Sequence, residues 1–373
     1  MTTLDMIKVM ANTSFDSDIY AKSESYRTIC KFQKCRCANP DEGSAATLQY
    51  WLDRGLRKEL HSEDTPANKW AAYLPVSENS ATQTYPLLFV LHGANNPIYL
   101  AEAYGYTHLA AREKLIVIIP ENESPEFIDY LFTYARNHYP VDWRHVYMVG
   151  YSLGGIMTAR HAFRWPERFA AVGIGGMLFA NGTMGPYPHL GNTWPGETFT
   201  EDMVAKATAL TIPMCCCLGE QEFDDILPIC QGEPMYAPGS DGTPVMALDL
   251  SWQNKIASVN NWRRAAGCTP IPEQTVLEKV HTSADIVTEK LGFPFEKTFV
   301  RQYEGRSQFI GDCVNAQNET LARFIAIAKS PHWPCAGLVE STWDFIRQFA
   351  IDPETGHSYH LRDAVQMKGA VSQ

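Results

Sequence analysis

The stretch VYMVGYSLGGIMTARHAFRWP, from Val146 to Pro166, places a serine between glycines where an apolar run stops and a helical pattern starts. This corner narrows the choice of fold more than anything else in the chain. Gly150-Tyr151-Ser152-Leu153-Gly154 fits G-x-S-x-G, with a predicted strand ending at Val149 and a predicted helix opening at Ser152. Strand and helix backbones nearly touch in a turn this tight, so the positions two either side of the serine have no room for side chains. Gly150 and Gly154 meet that need, and Gly155 relieves it further. The spacing predicts a strained Ser152 with an exposed hydroxyl, and a Leu153 N–H at the helix start pointing toward any developing oxyanion.

The texture of the chain around that corner predicts the fold class. From Lys69 onward, KWAAYLP, PLLFVLHG, KLIVIIP, HVYMVG, FAAVGIGG, IPMCCCLGE, KTFVRQYEG and ARFIAIA are short apolar runs ending in Gly, Pro or polar residues. Several are apolar at consecutive positions, as strands buried on both faces must be. Helical patterns alternate with them. In SPEFIDYLFTYARNHYP, Ser124 is the expected N-cap, Pro125 the first helical residue, and Phe127, Ile128, Leu131, Phe132 and Ala135 the buried face before Pro140 stops the helix. IYLAEAYGYTHLAAREK, SWQNKIASVNNWRRAAG and LVESTWDFIRQFA read the same way. The alternation predicts an α/β fold, a mainly parallel sheet with helices on both faces. Gly- and Pro-rich stretches at about 181–208 and 229–295 predict long insertions near the active site. Residues 1–66 are expected to be an N-terminal extension containing one helix through ATLQYWLDRGLRKEL, 67–352 the catalytic domain, and 353–373 a C-terminal tail.

A serine hydroxyl is a poor nucleophile until a base takes its proton. Chain order in G-x-S-x-G folds puts that base late, on a loop after the last strand. His332, in ARFIAIAKSPHWPCAGLVESTWDFIRQFA, sits between the final predicted strand and final helix. His357 and His360 follow that helix, His92 comes too early, and His161 lies inside the elbow helix. The acid that orients the histidine is expected after an intervening strand. IPMCCCLGEQEFDDILP offers Glu222, Asp224 and Asp225; Glu222, three residues past Gly219, is preferred and Asp224 is the rival. In LLFVLHGANN the glycine lets the next N–H groups, Ala94 first, serve as the second oxyanion donor, with His92 bracing the loop. Trp333, beside the base, and Trp262 are candidate substrate-binding walls of an acyl pocket.

Composition excludes other classes. A formal charge of −11 supplies no cationic face for nucleic acid or an anionic membrane surface. No apolar run approaches the ~20 residues of a membrane span, and the N-terminus lacks a leader pattern, so a cytoplasmic protein is expected. Ten cysteines in 373 residues are too sparse for a disulfide scaffold. Cys215 to Cys217 read as small buried hydrophobes, and Cys30, Cys35 and Cys37 make an incomplete zinc signature. Acyl transfer by a serine needs neither metal nor organic cofactor.

With these residues in view, the chain resembles the α/β-hydrolase superfamily, and within it the polyhydroxybutyrate depolymerase and feruloyl esterase group. KWAAYLP, LHGANN, LAAREKLIVIIPEN, the run from Tyr139 to Gly176, NNWRRAAGC and PHWP…WDFIRQF follow the group's order over roughly residues 69–350. The resemblance implies a carboxylic ester hydrolase with Ser152 as nucleophile and His332 as base, acting on short-chain, hydroxyacyl or cinnamoyl esters, small or oligomeric. There are departures: Glu222 stands where the group has Asp in a G-x-x-D turn, and His332 directly adjoins Trp333-Pro334. A serine peptidase and a silent binding protein on the same scaffold are the competing expectations.

Overall fold

The computed structural model describes residues 43–63, 68–76, 83–93, 98–176, 200–221, 235–238, 244–248, 251–303, 305–331, 334 and 336–362. The strands are β1 (Leu56–Glu63), β2 (Asn68–Pro75), β3 (Tyr85–Leu91), β4 (Ile116–Pro120), β5 (Val141–Tyr151), β6 (Ala171–Gly175), β7 (Met214–Gln221), β8 (Met235–Pro238), β9 (Pro244–Leu248), β10 (Lys297–Tyr303), β11 (Arg306–Val314), β12 (Thr320–Pro331), β13 (Phe349–Ile351) and β14 (Ser358–His360). The helices are α1 (Ala45–Leu52), α2 (Ile98–Glu102), α3 (Tyr106–Glu113), α4 (Pro125–His138), α5 (Leu153–Arg164), α6 (Glu201–Leu210), α7 (Trp252–Ala265), α8 (Glu273–Thr282), α9 (Ile286–Leu291) and α10 (Ala336–Ile346).

Ten strands form one sheet in the order β1-β2-β4-β3-β5-β6-β7-β12-β11-β10. The six from β4 to β12 run parallel, and antiparallel pairs extend both edges. β3, β4 and β6 are buried along almost their whole length, which is why their sequences are apolar without alternation. Helices cover both faces. A Cβ on Gly173 would meet Thr342 of α10, whereas the next residue, Ile174, packs against Gly155 of α5. Consecutive strand residues point to opposite sides, so α5 and α10 sandwich β6. This is the α/β-hydrolase fold that the sequence predicts.

Helix α4 forms as its sequence dictates. The Phe127 N–H donates to the Ser124 hydroxyl at 3.1 Å, Pro125 opens the helix, and Phe127, Ile128, Leu131, Phe132 and Ala135 are its buried aliphatic and aromatic side chains. The single helix expected from Ile98 to Lys114 is instead two, because Gly105 between them adopts φ 105°.

Part of the segment expected to be an N-terminal extension, residues 56–63, joins the main sheet. The expected helix through residue 60 ends at Leu52; Gly55, at φ 77°, turns the chain, and the second half becomes the edge strand β1 paired with β2. The Lys58 ammonium lies 2.8 Å from the Glu102 carboxylate, both fully buried, and the Trp51 indole N–H donates to the same carboxylate. A charge without a partner in such an enclosure is strongly unfavourable, so β1, α1 and the end of α2 stand or fall together. At the other end, β14 pairs with β13, so the tail expected from residue 353 contributes a strand. The region 229–295 is not purely irregular either, since it holds the hairpin of β8 and β9 and helices α7 to α9.

Cys215, Cys216 and Cys217 are fully buried in β7, and burial pushes the Cys215 thiol up to about 12, so it stays protonated at neutral pH. Cys30, Cys35 and Cys37 lie outside the described residues. Among the described residues no cluster of His, Cys, Asp and Glu is arranged to hold a metal ion. No described helix is long and apolar enough to cross a membrane.

Candidate active site

Strand β5 runs to Tyr151, two residues past the predicted end, and α5 starts at Leu153, so Ser152 alone makes the turn. Its backbone sits at φ 58°, ψ −120°, a region that residues with a Cβ rarely occupy. Three contacts hold it there. The Ser152 N–H donates to the Gly175 carbonyl of β6 at 2.9 Å, and the Ser152 carbonyl accepts from Gly155 and Ile156 in the first turn of α5. The glycines make the close approach possible: a Cβ on Gly150 would lie 2.1 Å from the Gly154 carbonyl oxygen, and one on Gly154 would lie 2.5 Å from that of Leu91. Ser152 and Leu153 both remain partly exposed. The first N–H groups of a helix have no intrahelical acceptor, so the Leu153 N–H is free of the helix ladder and lies beside the serine.

Ala94, Glu222, Asp224, Asp225, His332 and Trp333 lie outside the described residues. The strands from which they issue are described. β3 neighbours β5, with Leu91 opposite Gly150, and the chain leaves β3 toward Ala94. β7 and β12 are parallel neighbours, and Pro331 is paired with Gln221, the residues just before His332 and Glu222. The proposed nucleophile, acid, base and oxyanion donor therefore all follow the carboxyl ends of parallel strands. Glu220 ties two of these roots together: its carboxylate accepts the Lys329 N–H at 3.0 Å and pairs with Lys290 at 2.6 Å. The Arg306 guanidinium donates to the carbonyls of Ala328 and Lys329, bracing the same stretch of β12.

Trp262 has no exposed surface. It packs edge-on against Phe163 of α5, with ring centroids 4.7 Å apart. Its place is in the core behind the elbow helix, not in the wall of a pocket; the indole's large apolar area outweighed the binding role expected of it.

Around His92 and Gly93, at the end of β3, lies a polar cluster that sequence reasoning missed, apart from the bracing role expected of His92. The His92 N–H donates to the Glu123 carboxylate at 2.6 Å. The His92 ring faces two carbonyls, Nδ1 2.7 Å from that of Gly93 and Nε2 3.0 Å from that of Glu121. Carbonyls only accept, so this arrangement favours a proton on each ring nitrogen. Burial opposes the resulting charge, but the Glu123 carboxylate 3.8 Å from Nε2, together with the two carbonyls, outweighs it and raises the ring's pKa. Burial in turn pushes the Glu123 carboxyl up to about 7, against the pull of His92. The Gly93 N–H donates to the Tyr104 hydroxyl at 3.1 Å, and the Ile98 N–H to the Glu121 carboxylate at 3.1 Å. The signal available in the sequence was PENES, two acids directly after a fully apolar strand.

His161, on α5, donates from Nε2 to the Glu123 carbonyl at 2.9 Å, and its buried Nδ1 has no hydrogen-bond partner among the described residues. Burial lowers its pKa to about 3, and burial lowers that of His108 to about 4. Both rings are neutral in the folded protein near neutral pH. Because the folded pKa lies below the unfolded one, the stabilisation is fully present above about 6.5 and is lost as pH falls toward 3 to 4. Glu123, with a raised pKa, acts in the opposite sense: its contribution is present below about 4.5 and lost as pH rises through 7. His161→Gln, which keeps a donor for the Glu123 carbonyl, is expected to flatten the loss of stability between pH 6.5 and 4.5 by up to roughly 1.4 kcal/mol per pH unit. Urea unfolding of the two proteins across that range reads the difference, and parallel curves would disprove it.

No family model matches the chain, and no curated protein matches it in sequence. Among solved structures the chain is similar to an acetyl xylan esterase from Aspergillus awamori, at 15% identity over 78% of this chain and 98% of that one, with a TM-score of 0.44. It is also similar to a mutant feruloyl esterase module from Clostridium thermocellum, at 10% identity over 79% and 85%, with a TM-score of 0.40. A third is S-formylglutathione hydrolase from Staphylococcus aureus, at 19% identity over 45% and 80%, with a TM-score of 0.37.

Proposed function

We propose that the chain is a serine carboxylic ester hydrolase working through an acyl-enzyme. The observation that carries this reading is Ser152 held at φ 58°, ψ −120° between β5 and α5, beside a helix N-terminus. A backbone in that region costs on the order of 1–3 kcal/mol, and a fold retains such strain where the surroundings over-determine it, as at sites of chemistry. The paired ends of β7 and β12 support Glu222, or Asp224, and His332 as the other members of the triad.

In the proposed reaction His332 takes the Ser152 proton as the serine oxygen attacks the ester carbonyl. The Leu153 and Ala94 N–H groups bind the oxyanion; the Gly93 N–H, already engaged by Tyr104, is not among them. The intermediate collapses, the bond to the alcohol breaks, and His332 returns its proton to the departing alcohol. Water, deprotonated by the same histidine, then attacks the acyl-serine, and the acid leaves with Ser152 restored. The acidic residue holds the imidazole in the required tautomer. Short-chain, 3-hydroxyacyl and cinnamoyl esters are the proposed acyl classes, with Trp333 in the acyl pocket, and the proposed location is cytoplasmic.

A fluorophosphonate probe is expected to label the protein stoichiometrically at Ser152, located by peptide mass spectrometry. Turnover of p-nitrophenyl acetate, a 3-hydroxybutyrate oligomer and methyl ferulate then ranks the acyl classes by kcat/KM. Absence of labelling together with absence of turnover on all three would reject the reading.

A further inference from the structure

We propose that Glu123 is a positioning residue for acyl transfer, acting through His92 to hold His92 and Gly93, the residues that lead into the proposed second oxyanion donor. The inference rests on the esterase reading and deepens it. Residues on either side of that donor are held by carboxylates of one short loop: Glu123 grips the His92 N–H before it, and Glu121 grips the Ile98 N–H after it. The ring of His92 ties the Gly93 carbonyl to the Glu121 carbonyl, and both bonds need a proton on the ring nitrogen concerned. Glu123, 3.8 Å from Nε2, is the acidic partner that favours protons on both ring nitrogens inside a mostly buried site. The same residue reaches the nucleophile's helix, since its carbonyl accepts from His161 of α5. A Cβ on Gly154 would strike the carbonyls of Leu91 and His92, so the elbow and this loop are in backbone contact as well. One acidic loop thus ties Leu91 to Gly93, the residues just before the proposed oxyanion donor, to the helix of the serine.

Oxyanion donors act on charge that develops only in the transition state, so misplacing one lowers kcat and leaves KM nearly unchanged. Glu123→Gln keeps an oxygen for the His92 N–H and removes the charge. It is expected to lower kcat on p-nitrophenyl acetate by roughly 10- to 100-fold per fluorophosphonate-labelled site, with KM within about threefold of the parent. Glu121→Gln, on the far side of the proposed donor, carries the same expectation and stands in if Glu123→Gln does not fold. An unchanged kcat per labelled site in the folded variant overturns the proposal. So does a loss confined to the labelled fraction, because that is what a purely structural role would give. A parent protein that neither labels nor hydrolyses the ester would fail earlier, at the esterase reading itself.

Discussion

Ser152→Ala is expected to reduce ester turnover by roughly four to six orders of magnitude while leaving the thermal midpoint close to the parent's. The size of the loss follows from the mechanism. Without the hydroxyl there is no acyl-enzyme, and what remains is whatever the oxyanion donors achieve with water as the attacking group. The small effect on stability follows from the backbone: the N–H and carbonyl of residue 152 make the contacts that hold the turn, and alanine keeps both. Alanine tolerates φ 58° no better than serine, so the strain is carried over, not relieved. Steady-state rates on a p-nitrophenyl ester, with melting followed in parallel, check both parts. A variant with more than about a hundredth of the parental rate would remove Ser152 from the chemistry.

Gly150→Ala is expected to be the most disruptive single-methyl addition in the elbow. The new Cβ would sit 2.1 Å from the Gly154 carbonyl oxygen, 2.3 Å from its carbon and 2.6 Å from the Thr158 hydroxyl. The first two are backbone atoms of the helix that carries the proposed oxyanion donor, and they cannot move without moving it. We expect a cost of roughly 3 kcal/mol or more, at the upper end of what overpacking causes. Where protein is recovered, a displacement of about 1 Å is enough to lower kcat by about a hundredfold. Gly305→Ala is the contrasting control, separating backbone strain from overpacking: its φ of 75° disfavours alanine, but its added Cβ meets nothing within 4 Å. Equal stability and activity of the two variants would show that the elbow is looser than the close contacts imply.

The centre of the molecule was legible because its physics is local. Strands buried on both faces must be apolar at every position, and a strand-to-helix corner must have glycines at fixed spacing; both demands are written in adjacent residues. β11 escaped because its buried positions include Gln308 and Asp312, the latter satisfied by Arg323 of the neighbouring strand. Its sequence, RSQFIGDCV, looks exposed until its partner is known. β1 escaped for a related reason, since Lys58 reads as a surface charge and is in fact buried on Glu102. Within the site, the elbow could be read from Val146 to Gly155, whereas the grip of Glu121 and Glu123 on His92 and Ile98 spans 23 to 31 residues and depends on two loops meeting. Periodicity carries no trace of such pairs. Trp262 erred in the other direction: an aromatic near a proposed site suggested a ligand wall, and packing against Phe163 claimed it for the interior.

The buried Lys58–Glu102 pair has a practical consequence for anyone who trims this protein. A shortened version beginning at residue 67, where the amino-acid texture first looks enzymatic, would delete both Lys58 and Trp51 and leave the Glu102 acid at the end of α2 without its cation and its indole donor. That helix is the next element after the proposed oxyanion donor. The damage from such a cut would therefore reach catalysis through α2, an element outside the deleted stretch.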